Sequence, residues 1–242
     1  MTALLAEVGN TYLKAALAGD DGWQYLGRFA LGELAEQLAD AVPADCQKLV
    51  FASVAQDAAT HELESFALDQ GLAYQRVVTE SKAFGVTNAY QDCRRLGVDR
   101  WLALVAAHGR YQGPCLVVDI GTAVTLDLVA SDGRHLGGWI APGFQLMSQS
   151  VLAKTAQVRS LDDMDQSLAF GDDTGLCLAQ GCRAMLHGII DQGIALAKAR
   201  LGEELQVVLT GGGSRHLARP LPWQLDERPE LVLEGLAVYA TR

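Results

Sequence analysis

Two stretches of the chain present the same chemical groups in the same order. Leu4-Leu5-Ala6-Glu7-Val8-Gly9-Asn10-Thr11 stands at the start, and Leu116-Val117-Val118-Asp119-Ile120-Gly121-Thr122-Ala123 near the middle. Each is an apolar run ending in a carboxylate, an apolar residue, a glycine and a small hydrogen-bonding residue. A carboxylate at a strand end can hold a hydrated cation. A glycine lets the backbone come close to a phosphate, and the N–H groups of such a turn form a small anion nest. The combination suits the phosphate chain of a metal-bound nucleotide. Each turn taken alone also reads as an ordinary hairpin; it is the repetition that argues for function.

Three further stretches carry groups of interest. Val207-Val208-Leu209-Thr210-Gly211-Gly212-Gly213-Ser214 runs an apolar strand into three glycines and a helix start, which bares backbone where nucleotides tend to sit. It also reads as a tight turn. In Arg94-Arg95-Leu96-Gly97-Val98-Asp99-Arg100, Asp99 is expected to cap an apolar helix, with Arg100 as a fork for a carboxylate or phosphate. Gly137-Gly138-Trp139-Ile140-Ala141-Pro142-Gly143 suggests backbone shaped around something, or a plain turn. The sequence has no G-x-G-x-x-G fingerprint, no P-loop lysine motif and no G-x-S-x-G elbow. The histidines (His61, His108, His135, His187, His216) lack metal spacing and are expected at surface or helix-face positions. Asp162-Asp163-Met164-Asp165 reads as a solvated loop.

The elements that must position these groups follow from periodicity. Residues 2–8, 11–18 and 23–30 read as a three-strand meander with Gly-Asp turns, and 115–119, 122–130 and 134–141 as a second one. Helices are expected over 31–41, 56–70, 100–111, about 174–201 and about 230–241, and strands over 48–53, 72–78 and 206–209. Residues 79–96 read as polar and irregular, and 142–172 as a short helix and an acidic loop. The repeat predicts two similar α/β domains, 1–113 and 114–242, facing each other across a cleft and hinged near 110–115.

Composition narrows the class. The chain has 242 residues, half of them hydrophobic, which supports a sizeable core. A net charge of -10 leaves no basic stripe and argues against general nucleic-acid binding. The five cysteines are irregularly spaced without C-x-x-C, so reduced thiols in the cytoplasm are expected rather than disulfides or zinc. Glu7 interrupts the first apolar run and no positive side chain precedes it, so no signal peptide is expected. No apolar stretch is long enough for a membrane span.

In order, Glu7-Val8-Gly9-Asn10-Thr11, Asn88-Ala89-Tyr90, Leu96-Gly97-Val98-Asp99-Arg100, Asp119-Ile120-Gly121-Thr122-Ala123, Gly138-Trp139-Ile140-Ala141-Pro142-Gly143, Thr210-Gly211-Gly212-Gly213 and Leu233-Glu234-Gly235-Leu236 resemble the type III pantothenate kinases. These belong to the acetate and sugar kinase/Hsp70/actin superfamily. The resemblance implies two ribonuclease-H-like (actin-like ATPase) domains with a cleft between them, the second ending in the C-terminal helix. The implied reaction is ATP-dependent phosphorylation of pantothenate to 4'-phosphopantothenate, the first step of coenzyme A biosynthesis. It implies a cytoplasmic homodimer needing a divalent cation, normally Mg2+, and a monovalent one, K+ or NH4+.

Residue roles follow from the same resemblance. Glu7, Val8, Gly9, Asn10, Thr11, Tyr12, Leu13 and Lys14 would form the first phosphate loop, and Thr122 would contact ATP in the second. Gly211 and Gly212 would border the adenosine. Asp119 would hold the monovalent cation, and Glu7 is a candidate divalent ligand. Tyr90, Gly97, Val98, Asp99, Arg100 and Thr174 would bind pantothenate, with Asp99 as the base and Arg100 paired with the substrate carboxylate. The family's first phosphate loop usually begins with aspartate, whereas this chain has Glu7. That extra methylene moves the carboxylate by about 1.5 Å on a fixed backbone. A catalytically weak accessory protein, or a kinase for another small hydroxyl substrate, are the alternatives.

Overall fold

The computed structural model describes residues 2–9, 11–19, 22–54, 57–153 and 167–241. The chain divides into two units, residues 1–109 with 230–242, and residues 110–229.

In the first unit, β1 (Thr2–Val8) buries Ala3, Leu4, Leu5, Ala6 and Val8, residues that point to alternate sides. A strand buried on both sides must lie inside a covered sheet. β1 is the centre of a five-stranded sheet ordered β3-β2-β1-β4-β5. β2 (Tyr12–Gly19) and β3 (Gly22–Ala30) continue it as an antiparallel meander, and β4 (Cys46–Ser53) and β5 (Ala73–Arg76) extend it in parallel on the other side. Leu4, Ala6 and Val8 meet α1 (Leu34–Ala41) and α2 (Asp57–Asp69) through Leu34, Leu38, Leu63 and Phe66. The alternate residues, among them Ala3 and Leu5, face the opposite side. A short hairpin, β6 (Lys82–Ala83) and β7 (Val86–Thr87), lies in the segment expected to be irregular, and α3 (Val98–Tyr111) follows it.

The second unit repeats the connectivity. β8 (Cys115–Ile120), β9 (Ala123–Val129), β10 (His135–Pro142), β11 (Gln206–Thr210) and β12 (Asp226–Glu227) form a sheet ordered β10-β9-β8-β11-β12. β8, β9 and β10 are antiparallel, whereas β11 and β12 run parallel to β8. This is the first unit's pattern strand for strand. α4 (Phe144–Leu152) and α5 (Thr174–Leu201) cover it, and Phe144, Met147, Leu186 and Ile190 pack on Val118, Ile120, Val124 and Leu126. α5 is sharply bounded: Asp173 accepts a hydrogen bond from the Leu176 N–H at 2.9 Å, and Gly202 ends it at φ 95°.

The last helix, α6 (Leu231–Ala240), packs on β1, β2 and β4. This differs from the expected division, which gave it to the second unit. Its apolar residues (Leu231, Val232, Leu233, Leu236) are buried in the first unit, and Gly235 lies so close to α3 that a Cβ there would overlap the Leu102 carbonyl. All five cysteines are free. No helix among the described residues is long and apolar enough to cross a membrane.

Candidate active site

The two repeated turns sit at equivalent strand ends but differ in length. In the first unit Val8 pairs with Leu13, leaving 9–12 as the turn, closed by the Gly9 N–H donating to the Tyr12 carbonyl at 3.0 Å. In the second, Ile120 pairs with Val124, leaving 121–123, closed by Gly121 N–H to the Ala123 carbonyl at 2.8 Å. Of the first phosphate-loop residues, Thr11 and Tyr12 are exposed, whereas Val8 and Leu13 are buried in the core and can offer a ligand only their main chain. Asn10 lies outside the described residues.

Glu7 is the strand-end carboxylate of the first unit. Its cross-strand neighbour is Lys14, whose Nζ lies 3.7 Å from Oε2, and both side chains keep only 18% of their exposure. Oε2 is buried with no hydrogen-bond partner. Burial pushes the Glu7 carboxyl above its usual range; Lys14 pulls it down, and the nearby charges of Asp99 and Glu230 push it up again. A buried carboxylate oxygen that has Lys14 at 3.7 Å but also the charges of Asp99 and Glu230 nearby is a fit for a further cation. The described residues contain no group of three or more His, Cys, Asp or Glu arranged to hold a metal. A divalent ion here would therefore be held by Glu7, with water and phosphate supplying the rest, which is how Mg2+ is commonly bound.

This has a consequence for stability. A carboxyl whose pKa is higher folded than unfolded favours folding while protonated. That contribution is complete below the unfolded value, near 4.5, and is lost as pH rises through the folded value. The ionised form of Glu7 is therefore the costlier one for the fold, and a further cation beside it would offset that cost. Melting curves without divalent ions should show wild type losing stability relative to Glu7→Gln as pH rises above about 4.5. At pH 7, millimolar Mg2+ should raise the melting temperature of wild type more than that of the variant. Equal responses would remove Glu7 as a cation ligand.

The residues expected to bind pantothenate come together in the first unit, with one exception. The Gly97 carbonyl accepts the Trp101 N–H at 3.0 Å, so Gly97 precedes the helix and α3 begins at Val98. Asp99 therefore lies in the first turn and is not the cap expected from sequence. Its Oδ1 accepts the Arg100 N–H at 2.8 Å, at the helix end that favours negative charge. A Cβ on Gly97 would overlap Asp99 Oδ1, so only glycine leaves the carboxylate where it is. Arg100 is buried, and its Nη1 donates to the Tyr90 hydroxyl at 3.3 Å. The exception is Thr174, exposed at the first position of α5 in the second unit.

In the second unit three glycines close on the 119–122 turn. Gly143 N–H donates to the Thr122 carbonyl at 2.9 Å, and a Cβ there would overlap the Gly121 carbonyl. Gly211, at φ 90°, stands against Asp119 Oδ1 and the Ile120 carbonyl. A Cβ on Gly213 would come within 2.7 Å of that same carbonyl. The helix start expected after these glycines is only a 3-10 turn, Gly212–His216. Asp119 and neighbouring carbonyls offer oxygen ligands of the type that hard cations take. Gly143 was visible in sequence as a Pro-Gly turn without a role; Glu230, near Glu7 only through folding, carried no signal. Of the histidines expected at surface or helix-face positions, His187 is on a helix face, the buried face of α5, whereas His135, 3.0 Å from Asp127, and His216, stacked on Phe144, are buried outside any α-helix.

Two ribonuclease-H-like α/β units with glycine turns beside strand-end carboxylates define an actin-like ATPase fold. An archaeal actin homologue, Ta0583, aligns over 100% of both chains with a TM-score of 0.51 at 13% identity. A Campylobacter jejuni protein described as a Baf family transcriptional activator aligns over 98% of both chains, with a TM-score of 0.60 at 19% identity. At such identities these likenesses speak for the fold alone. Residues 3–195 match the family model for type III pantothenate kinase. A Pseudomonas aeruginosa type III pantothenate kinase is 41% identical over 214 residues, 85% of this chain and 84% of the relative. The chain belongs to the type III pantothenate kinase family.

Proposed function

We propose that the protein transfers the γ-phosphoryl group of ATP to the terminal hydroxyl of pantothenate, giving 4'-phosphopantothenate and ADP, the first step toward coenzyme A. The observation that carries this reading is the Asp99 carboxylate, held at the start of α3 by the Arg100 N–H and by the bare Gly97, beside the half-buried Arg100–Tyr90 hydrogen bond. Phosphoryl transfer needs positioning and charge neutralisation more than covalent chemistry, and these groups supply positioning. Arg100 pairs with the pantothenate carboxylate, and Tyr90 steadies that guanidinium. As the substrate oxygen bonds to the γ-phosphorus and the bond to the ADP oxygen breaks, the hydroxyl proton passes to Asp99.

Lys14 and the backbone of the 9–12 turn bind phosphate. The 119–122 turn with Thr122 does the same in the second unit, and Gly211 and Gly212 let the adenosine side of ATP approach. A divalent cation held by Glu7 would neutralise the phosphate charge that this acidic chain, without a P-loop lysine, cannot neutralise alone. Asp119 is suited to K+ or NH4+. The working form is a cytoplasmic homodimer.

The deciding assay is ADP release from purified protein with ATP, Mg2+ and K+. Release should depend on pantothenate and on the divalent ion, and rise with K+ or NH4+. Folded protein that releases no pantothenate-dependent ADP under any of these cations would end the proposal. Light scattering at assay concentration tests the dimer.

A further inference from the structure

The Tyr239 hydroxyl, on the last helix, ties together two segments that the proposed pantothenate pocket needs. It accepts the Trp101 indole N–H at 2.8 Å and donates to Glu80 Oε1 at 2.6 Å. Both Trp101 and Tyr239 are buried, and Phe84 packs edge-on against the Tyr239 ring, 4.7 Å between centroids. From there the contacts run in two directions. Trp101 follows Arg100 in α3, and its N–H is bonded to Gly97, so it shares the turn that carries Asp99. Glu80 stands at the base of the β6–β7 hairpin. Its carbonyl accepts Asn88 Nδ2 at 3.4 Å, Asn88 N–H donates to the Ser81 carbonyl at 2.9 Å, and Asn88 Oδ1 accepts the Tyr90 N–H at 2.9 Å. The Arg100–Tyr90 bond closes the ring. The hairpin is itself held in an uncommon shape, with Phe84 at φ 47° and Gly85 at φ 83°, and Phe84 is the residue that seats on Tyr239.

We infer that Tyr239, with Glu80, is a positioning pair for the pantothenate pocket: one phenol sets the distance between Tyr90, in the segment that follows the hairpin, and Asp99–Arg100 on α3. The inference rests on the reading of Tyr90 and Arg100 as pantothenate ligands. Tyr239 lies outside the stretch that matches the family model, residues 3–195. Its role comes from the hydrogen bonds and not from a motif.

The test separates positioning from general support. Tyr239→Phe keeps the ring against Phe84 and removes both hydrogen bonds. It is expected to raise KM for pantothenate by about 5- to 30-fold, the range for one or two lost buried hydrogen bonds, while KM for ATP stays within about twofold. Glu80→Ala cuts one arm and should raise the same KM, and Glu80→Gln, which retains an acceptor, should recover most of that rise. If Tyr239→Phe does not fold, the two Glu80 variants decide alone. An unchanged pantothenate KM in folded variants, or equal rises in both KM values, overturns the inference. Arg100→Gln serves as the reference. If it too leaves the pantothenate KM unchanged, the pocket assignment has failed; if only Arg100→Gln raises it, the pocket stands and the positioning role falls.

Discussion

Asp99→Asn is expected to lower kcat for pantothenate phosphorylation by about 10²- to 10⁴-fold, the usual worth of a positioned base. The substitution isolates the proton acceptor. Asparagine has the same shape, its carbonyl oxygen can still accept the Arg100 N–H that Asp99 Oδ1 accepts at 2.8 Å, and Gly97 still leaves room for it. The helix start and the Arg100–Tyr90 pair should therefore survive, and with them KM for pantothenate and the melting temperature. Only the group proposed to take the hydroxyl proton is gone. A second readout follows from the electrostatics. Asp99 is one of the charges that push the Glu7 carboxyl up, so the variant should weaken the pH-dependent loss of stability assigned to Glu7. Steady-state kinetics with a coupled ADP assay, run beside melting curves, measure both. A variant that keeps the wild-type rate removes Asp99 as the base, whatever its effect on Glu7.

Much of this architecture was legible because the repeat is a repeat of chemistry. The runs ending in Glu7-Val8-Gly9 and Asp119-Ile120-Gly121 are continuous apolar strands, and both proved to be the central strands of five-stranded sheets with the same order. Periodicity also located α5, expected over about 174–201 and found from Thr174 to Leu201, since an amphipathic repeat is a local signal. What escaped was non-local. The placement of α6 depends on a fit between Gly235 and the Leu102 backbone, residues far apart in sequence. Asp99 read as a cap because an acidic residue before an apolar run usually is one; here the helix starts earlier, on the Gly97 carbonyl. The crowding of Glu7 by Asp99 and Glu230 arises from three separate segments. Motifs name the groups in a site, whereas their charge environment emerges only when the segments meet.

Gly211→Ala should be among the most damaging single-methyl additions in the second unit, and a comparison can show why. Two costs act there. A backbone at φ 90° and ψ 142° lies in a region left almost entirely to glycine, and a Cβ there costs roughly 1–3 kcal/mol. In addition, the methyl would overlap Asp119 Oδ1 and the Ile120 carbonyl, so the turn or the carboxylate must shift. Gly202 is the control: it has a similar φ of 95°, but nothing lies near its absent Cβ. Gly202→Ala should therefore lose the backbone term alone, lowering the melting temperature by about 2–12 °C for a chain of this size. Gly211→Ala should lose clearly more, and should also raise KM for ATP, because Asp119 would shift together with the turn proposed to face the nucleotide. KM for pantothenate, whose proposed ligands Tyr90, Asp99 and Arg100 lie in the first unit, should change little. Matching thermal losses in the two variants, with KM for ATP unaltered in Gly211→Ala, would mean that the glycine turn shapes the backbone only and holds no nucleotide.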